Sequence, residues 1–512
     1  MNQIICHLGL EKAVVHGKGG HLSPSLVNLT NLRYLDLNSN SFSGIQVPAF
    51  LGLLKNLRYL NLSGAGFDGE IPRHLGNLMY LRYLDLGDSD ISPVSNWLST
   101  RDLGWVVELS SLEALVLSKV NLTAAQDGLQ VINMLSSLTT LDLNGCDLFI
   151  HPHLSHVNFT SLSSLDLCEN NFSNYMVPPW LCNFTGLHDL RLDHNNLSDP
   201  IHGLFDQMTS LVRLDLLYNC CDASTLKSLC NISSLTYLDL RDFDLSLNFL
   251  TGHIPQLEVG QTSVLQSLFL NDNRFTGTIP EDLCKLENLF LDLSNNLLSG
   301  RVPVCLGNLG DLRILNLANN SLSGQIPSSL GNLGSLYTLH LNGNKFVRKL
   351  PTSMQHLRYL EALDLGDNGL KDIIPAWIGE RLSNLMFLRF QSNNFHGAIS
   401  DTLYQLSHLR VLNLAHNNLV GFIPHCFNNI SAMGSGLEGG YTFDSAVSLQ
   451  DIKGGRELEY HSLSLLRVKS ISLSTNNLVG EIPDGIMELV QLQVLNLSQN
   501  HLTEGSPRRL AT

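Results

Sequence analysis

The densest run of side chains that could hold a metal ion is His-Pro-His-Leu-Ser-His, with imidazoles at His151, His153 and His156. Together with the thiol of Cys146 they would offer the nitrogen and sulfur ligands that zinc prefers. The run has no matched carboxylate, and it falls between two leucine-rich phrases. We therefore interpret these histidines as surface or packing residues and predict no metal site.

Aspartates that recur at one position of a leucine-rich phrase are the second candidates for chemistry, because paired carboxylates can act as general acid and base. Their regular recurrence favours a solvated acidic stripe over a catalytic pair. No HExxH, GxSxG, phosphate-loop or dinucleotide fingerprint occurs. The sequence therefore predicts a protein that is not an enzyme and has no cofactor. The aspartates are Asp36, Asp85, Asp142, Asp166 and Asp215.

The phrase that carries these aspartates, LxxLxLxxN, returns about every 24 residues nearly end to end, in eighteen frames. A period in this range predicts a solenoid in which each repeat is one strand and a return segment. The frames end at Asn40, Ala65, Ser89, Val120, Cys146, Asn170, Asn195, Asn219, Asn248, Asn273, Asn296, Asn320, Asn344, Asn368, Asn393, Asn417, Asn476 and Asn500.

Strand alternation within one phrase predicts that Leu315 and Leu317 point into the core and that Asn316 points out. We expect the amide of Asn320, at the end of the phrase, to bond free backbone groups of adjoining turns. Gly324 then permits a bend and Pro327 an extended return. The stacked strands would form one parallel sheet over a row of leucines.

Composition agrees with a repeat architecture. A solenoid can reach 512 residues without splitting into globular domains, because each repeat contacts its neighbours. The net charge of −15 argues against a nucleic-acid or acidic-membrane surface. No run of about 18 apolar residues occurs, and the N-terminus has no signal-peptide pattern. We expect no membrane-spanning segment or leader in this sequence.

The return segments carry a GxIP motif, and the repeats resemble the plant-specific leucine-rich class. That resemblance implies an α/β-type leucine-rich-repeat solenoid, a curved right-handed superhelix with a parallel β-sheet on its concave face. Residues 19–37, GGHLSPSLVNLTNLRYLDL, are similar to the cap junction of plant receptor-like proteins of the ethylene-inducing-xylanase receptor group. The motifs begin at Gly69, Gly277, Gly324, Gly421 and Gly480.

The regular spacing fails between Asn417 and Asn476, which are one repeat and about 35 residues apart. Long connections inside compact repeats are usually functional or disordered. The insert resembles the island segment of plant receptor-like proteins, which helps shape ligand or co-receptor contact. By that resemblance, Lys453, Gly454, Glu457 and Tyr460 are candidate contacts. A tolerated flexible insertion is the alternative.

Both ends of the sequence look unfinished. We predict a cap remnant at residues 1–20, leucine-rich repeats at 21–430, the island insertion at 431–466 and truncated repeats at 467–512. A truncated gene product and a natural short form both remain open.

An Arg-Tyr ladder on three successive turns is the candidate binding face, because Tyr and Arg are frequent interface anchors. Further on, Arg389 and other rings and basic groups are expected on the same face; the alternative is that LRYLDL is a common filler phrase. The ladder is Arg33, Tyr34, Arg58, Tyr59, Arg82 and Tyr83, and the further groups are His188, Arg191, His194, Phe387 and His416.

Cysteines and sequons favour an oxidising, secreted location. Cys284 and Cys305 have offsets from Asn273 and Asn296 that place them on adjacent turns, which predicts a disulfide. Cys426 faces Tyr404 instead of a cysteine, so it is either a free thiol or bonded elsewhere. The pairing of Cys220, Cys221 and Cys230 is open, and Cys146 and Cys168 could be buried fillers. Predicted glycosylation sites are Asn28, Asn121, Asn158, Asn171, Asn183, Asn196, Asn231, Asn319 and Asn429.

A recognition function follows, because repeats of this kind present a surface and no catalytic site. The resemblance implies the extracellular part of a plant cell-surface immune or developmental receptor-like protein, binding a peptide or protein elicitor and partner receptor kinases at the plasma membrane. The alternatives are a secreted leucine-rich-repeat inhibitor of pathogen polygalacturonase and a non-functional truncated product.

Overall fold

The repeats that the structure describes fold as a three-residue strand, a bend and a short return, as their leucine spacing predicts. In the phrase around Ile314–Asn316, Leu312, Leu315 and Leu317 have no exposed surface, while Asn316 is half-exposed on the opposite face. The predicted inward direction of Leu315 and Leu317 is confirmed. We call the side of the sheet turned away from these leucines the non-core face.

The computed structural model describes most of the chain, with gaps. The described residues are 6–7, 20–42, 44–88, 98–150, 154, 157–172, 176–197, 205, 207–216, 219, 234–239, 251–254, 267–285, 290–434, 449–453, 456–460 and 468–503. Two compact units divide the chain. Unit 1 comprises Met1–Leu250 and Leu257–Leu265, and unit 2 comprises Thr251–Gln256 and Gln266–Thr512.

The main strands of each unit pair in parallel, with leucine opposite leucine from one turn to the next. In unit 1 they are Cys6–His7, Tyr34–Asp36, Tyr59–Asn61, Tyr83–Asp85, Ala114–Val116, Thr140–Asp142, Ser164–Asp166, Asp189–Arg191, Arg213–Asp215 and Tyr237–Asp239. In unit 2 they are Ser267–Phe269, Phe290–Asp292, Ile314–Asn316, Thr338–His340, Ala362–Asp364, Phe387–Arg389, Val411–Asn413, Ser470–Ser472 and Val494–Asn496.

A second, shorter set of parallel strands follows the bends. In unit 1 these are Ile45–Gln46, Phe67–Glu70, Leu98–Ser99, Phe149–Ile150 and Asn171–Phe172. In unit 2 they are Thr251–His253, Arg274–Gly277, Leu297–Gly300, Ser321–Gly324, Lys345–Arg348, Gly369–Leu370, His396–Gly397, Asn418–Gly421, Asn477–Gly480 and His501–Leu502.

Short helices complete the return segments. The 3-10 helices are Pro24–Asn28, Ala49–Leu53, Arg73–Asn77, Gly104–Glu108 and Pro179–Asn183 in unit 1, and Glu281–Lys285, Val304–Asn308, Ser328–Asn332, Thr352–His356, Asp401–Gln405, His425–Asn429 and Asp484–Glu488 in unit 2. The short α-helices are Gly128–Ile132, Trp377–Arg381 and Ser431–Gly434.

The GxIP motif works as its composition predicts. Gly324 has φ of +86°, a left-handed conformation that costs glycine little, and Pro327 is extended at φ −63° and ψ 135° before the helix Ser328–Asn332 begins. The corresponding position of the next repeat is Arg348, which holds φ of +74° without being glycine. A side chain with a Cβ is strained there.

Asparagines at the end of the phrase form a ladder inside unit 2. The amide of Asn320 donates to the carbonyls of Leu293, Leu317 and Ala318 at 2.9–3.3 Å. Its Oδ1 accepts from the backbone N–H of Leu298 at 3.0 Å. The predicted bonding of Asn320 is confirmed, and it satisfies backbone groups that strands in adjoining turns leave unpaired.

The long insert does not interrupt the sheet. Val411–Asn413 pairs directly with Ser470–Ser472, and Leu419 donates to Oδ1 of Asn476 at 3.0 Å as if the two turns were consecutive in sequence. Within the insert, Leu449–Lys453 and Arg456–Tyr460 form an antiparallel hairpin. The solenoid therefore continues past the insert, and the hairpin is an additional element.

Candidate ligand-binding face

The non-core face of unit 1 presents two rows of side chains, because the first and third residues of each strand share that face. Most members of both rows are half-exposed. The first row is Tyr34, Tyr59, Tyr83, Ala114, Thr140, Ser164, Asp189 and Arg213, and the second row is Asp36, Asn61, Asp85, Val116, Asp142, Asp166, Arg191 and Asp215.

Three tyrosines at the start of the first row form a continuous stack. Ring centroids lie 4.1 Å apart between Tyr34 and Tyr59 and 4.4 Å apart between Tyr59 and Tyr83, with interplanar angles of 8° and 6°. The hydroxyls of Tyr34 and Tyr83 donate to Asp36 and Asp85 at 3.3 and 3.2 Å. Because each hydroxyl is held by the second row, the rings are fixed before any ligand arrives.

Burial and neighbouring groups raise the pKa of two of the three phenols. Burial, followed by the nearby Tyr59 and Asp36, raises the pKa of Tyr34 to about 12. Burial and the charge of Asp85 raise the pKa of Tyr83 further above its ordinary value. Tyr34 and Tyr83 therefore present neutral phenol rings at physiological pH and well above it.

The arginines of the ladder precede the tyrosines and are exposed at Arg33, Arg58 and Arg82. Nη1 of Arg82 lies 3.2 Å from Oε1 of Glu113, and both side chains remain about half-exposed at 59% and 49%. An ion pair this exposed contributes little to stability. The structure thus brings the predicted arginines and tyrosines together along one edge of the sheet.

The aspartates of the second row do not form the solvated stripe that the sequence predicts. Asp85 and Asp215 are buried, and Oδ1 of Asp85 accepts from the backbone N–H of Gly87 at 3.0 Å. Asp36, Asp142 and Asp166 make the same bond two residues onward. The physical reason is that a short side chain at the end of a strand can close the following turn on its own backbone.

Burial and the charge of Asp142 raise the pKa of Asp166 to about 6, and burial also raises the pKa of Asp85. Further along the face, Arg191 reaches Asp189 at 3.3 Å and Asp166 at 3.8 Å, and Arg213 reaches Asp215 at 3.7 Å. Two of these pairs lie within one strand, and the pair of Arg191 with Asp166 joins adjacent turns, a contact that spacing along the chain did not predict.

The candidate metal residues do not assemble into a described site. Cys146 is buried, and its thiol donates to the carbonyl of Leu117 at 3.1 Å, the type of carbonyl that asparagine binds in other turns. His151, His153 and His156 lie outside the described residues. Among the described residues, no group of three or more His, Cys, Asp or Glu side chains could hold a metal ion. Cys168 is also buried and donates to Asp193.

In unit 2, the predicted contact residue Arg389 is buried and is not an exposed anchor. Arg389 is 2% exposed, with Nη1 3.2 Å from Asp364 and Nη2 2.9 Å from Asp367. Phe387 is likewise buried, in an apolar cluster with Ile314, Ala362 and Val411. The expectation of exposure is wrong for both, because unit 2 packs apolar and paired charged groups on its non-core face.

Two buried groups in this part of unit 2 have shifted pKa values. Burial and the nearby Arg389 lower the pKa of His340 to about 3, so this imidazole is neutral. Burial raises the pKa of Asp364 to about 6 against the opposing effect of Arg389. His188, His194 and His416, by contrast, are exposed.

The island candidates fall on the hairpin. Lys453 pairs with Arg456, Glu457 with Ile452 and Tyr460 with Leu449, while Gly454 lies outside the described residues. Three of the four candidates therefore belong to one antiparallel element, which starts after the helix Ser431–Gly434.

Cys284 and Cys305 are joined in a disulfide, with their sulfurs 2.12 Å and their Cα atoms 5.7 Å apart. Cys426 carries a free, half-buried thiol. Asn319 is half-buried and its amide donates to Asn295 at 2.7 Å, whereas Asn231, Cys220, Cys221 and Cys230 lie outside the described residues. The other predicted glycan acceptors are exposed at Asn28, Asn121, Asn158, Asn171, Asn183, Asn196 and Asn429.

Within the part of the chain that the structure describes, no helix is both long and apolar enough to cross a bilayer.

Family models for leucine-rich repeats match several parts of the chain. A leucine-rich repeat region matches residues 290–423, and leucine-rich repeat models match residues 30–91, 264–286 and 491–512. Among solved structures, a TDR receptor is 25% identical with a TM-score of 0.65, over 93% of this chain and 70% of that one. The plant peptide hormone receptor RGFR1, solved in complex with RGF2, is 25% identical with a TM-score of 0.60, over 94% of this chain and 80% of that one.

Receptor-like proteins of plants are similar in sequence. Receptor-like protein EIX1 of Solanum lycopersicum is 38% identical over 43% of this chain and 21% of its own length. Receptor-like protein 49 of Arabidopsis thaliana is 31% identical over 93% of this chain and 55% of its own length. The chain thus spans a fifth to just over half of these relatives.

Repeat phrase, parallel sheet and GxIP returns define a leucine-rich-repeat solenoid of the kind found in plant receptor ectodomains. No enzyme family is indicated by the matches. By sequence, the chain is similar to the plant receptor-like proteins over most of its length.

Proposed function

We propose that this chain is the extracellular recognition portion of a plant cell-surface receptor-like protein that binds a peptide or protein elicitor. The observation that carries the proposal is the row of stacked tyrosines and exposed arginines on the non-core face of unit 1. Aromatic rings and guanidiniums are frequent anchors in interfaces, and here the rings are already ordered.

Structural neighbours support a polypeptide ligand. RGFR1 was solved in complex with RGF2, and the receptor kinase HAESA, 26% identical with a TM-score of 0.55, was solved with the peptide hormone IDA and the co-receptor SERK1. For this chain we propose a ligand of the same polypeptide class and receptor-kinase partners. The location we propose is the outer side of the plasma membrane.

We assign the contact residues to two elements. Arg33, Tyr34, Arg58, Tyr59, Arg82 and Tyr83 would form the ligand edge of unit 1. The island hairpin, with Lys453, Gly454, Glu457 and Tyr460, would contribute to ligand or co-receptor contact. Residues 431–466 would then form a recognition insertion within the repeats.

The test uses peptides selected against the intact chain from a displayed random library. Arg58→Glu combined with Arg82→Glu should weaken their binding at least tenfold, about 1.4 kcal/mol, because two cations at the edge are reversed. Lys55→Glu is the matched control, since Lys55 is exposed beyond the helix Ala49–Leu53 of the same turn as Arg58.

An equal loss with Lys55→Glu would show that overall charge, rather than this face, determines binding, and would contradict the proposal. Deleting residues 435–466 tests the island separately. If selected ligands and receptor-kinase partners bind the deletion variant as well as the intact chain, the island has no recognition role.

A further inference from the structure

The tyrosine stack of unit 1 ends abruptly at Tyr83. One face of this ring is covered by Tyr59 at 4.4 Å. On the other side the neighbouring strand is Ala114–Val116, and its residue in register with Tyr83 is Ala114. Among the described residues, no aromatic ring stacks on that second face of Tyr83.

The space above Ala114 has the thickness of one ring. Neighbouring strands lie about 4.8 Å apart, and the rings of the stack follow that spacing at 4.1 and 4.4 Å. Ala114 fills its place in the row with one methyl group and is half-exposed. The next residue in the row, Thr140, is also small. A planar group inserted here would continue the stack as a fourth ring.

The second row indicates which ring fits. Each tyrosine of the stack has a polar second-row side chain beside its hydroxyl, at Asp36, Asn61 and Asp85. In register with Asp85, the second row has the half-exposed Val116, which has no acceptor. A ring inserted above Ala114 would rest its edge on this apolar side chain.

We propose that the slot between Tyr83 and Thr140, floored by Ala114 and Val116, binds an apolar aromatic side chain, phenylalanine or tryptophan, of the polypeptide ligand. This inference rests on the proposed function. Stacking on Tyr83 stabilises a planar ring beyond the apolar area that it buries, so the slot selects among ligands by ring type. Arg82 and Glu113 flank its entrance with an exposed ion pair.

The direct test closes the slot with the protein's own ring. Ala114→Tyr places a fourth tyrosine in the row, and Ala114→Ser is the control that leaves the space open. The probe is the capped tripeptide N-acetyl-Gly-Phe-Gly-amide, observed by saturation-transfer NMR and by the shifts of labelled Val116 methyls. Its cyclohexylalanine analogue has a similar apolar size without a π face.

The expected result is saturation transfer and Val116 shifts with the intact chain and with Ala114→Ser, and at least a fivefold smaller response with Ala114→Tyr. The cyclohexylalanine probe should respond at least threefold less than the phenylalanine probe. Tyr83→Leu removes the wall and should abolish that difference. It serves as the second variant if Ala114→Tyr fails to fold by circular dichroism.

Unchanged probe binding in Ala114→Tyr, or an unchanged difference between the phenylalanine and cyclohexylalanine probes in Tyr83→Leu, would overturn the slot. The proposed function fails separately: if Arg58→Glu with Arg82→Glu affects selected peptides no more than Lys55→Glu while the phenylalanine probe still occupies the slot, the slot stands and the recognition edge does not. If selected peptides lose binding on arginine reversal but not on Ala114→Tyr, the edge stands and the slot is wrong.

Discussion

The two units use the same repeat, but the side chains on their non-core faces differ in exposure. In unit 1 the first row is tyrosine, alanine, threonine, serine and charged residues, and it is half-exposed. In unit 2 the corresponding residues Ile314, Ala362, Phe387 and Val411 pack against one another and are buried. Leucines that point to the core are equivalent in both units. The side chains between them therefore decide whether a turn offers a surface or adds packing.

The two units also differ in how regularly an asparagine occupies the last position of the phrase. From Asn273 to Asn500 nearly every described turn of unit 2 ends its phrase in an asparagine bonded to the preceding turn. In unit 1 only part of the turns have it: the same position holds Ala65, Val120 and Cys146, whereas Asn170, Asn195 and Asn219 make the same bond. Unit 2 thus has the more regular scaffold, and unit 1 the more variable, accessible face.

The largest expected effect separates the two faces. Phe387→Ala should destabilise the protein by about 4 kcal/mol, because a buried ring leaves a cavity. Tyr59→Ala, at a half-exposed position, should cost about 1.5 kcal/mol from lost stacking. Urea denaturation of both variants measures the difference. Equal losses would mean that the two faces do not differ in packing.

The second-largest expected loss of stability concerns the asparagine ladder. Asn320→Ala should cost about 3 kcal/mol, because a buried backbone N–H and several carbonyls lose their partner. Asn40→Ala, which removes bonds to Leu37 and Asn38 at a half-buried position of unit 1, should cost under about 1 kcal/mol. Hydrogen exchange at the Leu298 amide checks the mechanism, and its unchanged protection in Asn320→Ala would argue against it.

Asp166 should make the free energy of unfolding depend on pH by about 2 kcal/mol. Its pKa in the folded chain, about 6, lies above the unfolded value near 3.9. The folded state therefore holds the proton more tightly, and this stabilisation is complete below about pH 4 and is lost as the pH rises through about 6. Asp166→Asn keeps an acceptor for the Cys168 N–H, as Asn61 does for Ser63.

The stability of Asp166→Asn relative to the unmutated chain should therefore be higher at pH 7 than at pH 4.5. Denaturation at both pH values measures this difference. Ser164→Ala, on the same strand without a titratable group, is the control. A difference between Asp166→Asn and the unmutated chain that does not change with pH would refute the assignment.

The smallest expected change in stability concerns the bend at Arg348 in unit 2. Arg348→Gly should stabilise the chain by about 1 kcal/mol, because glycine relieves the left-handed conformation that Gly324 adopts without strain. Lys349→Gly is the matched control, since Lys349 is exposed and adjacent but has no such conformation to relieve. Thermal unfolding should show a higher midpoint for Arg348→Gly alone.

Much of the fold follows from the sequence because its signals are local. The period places Leu315, Asn320, Gly324 and Pro327 correctly, since strand alternation, amide capping and glycine or proline geometry each depend on a few residues. The binding face is less predictable. Phe387 and Arg389 occupy the same phrase positions as exposed residues of unit 1, and the phrase does not show what neighbouring turns place beside them.

The sequence by itself determined the repeat, the direction of its leucines, the class of protein and the position of the long insert between Asn417 and Asn476. Tertiary structure alone decided that Arg389 lies between Asp364 and Asp367, and that Ala114 stands in register beside Tyr83, the last ring of the tyrosine stack. These contacts join residues about 22 to 31 positions apart in the chain. They depend on the register between turns, which comes into existence only when the repeats stack.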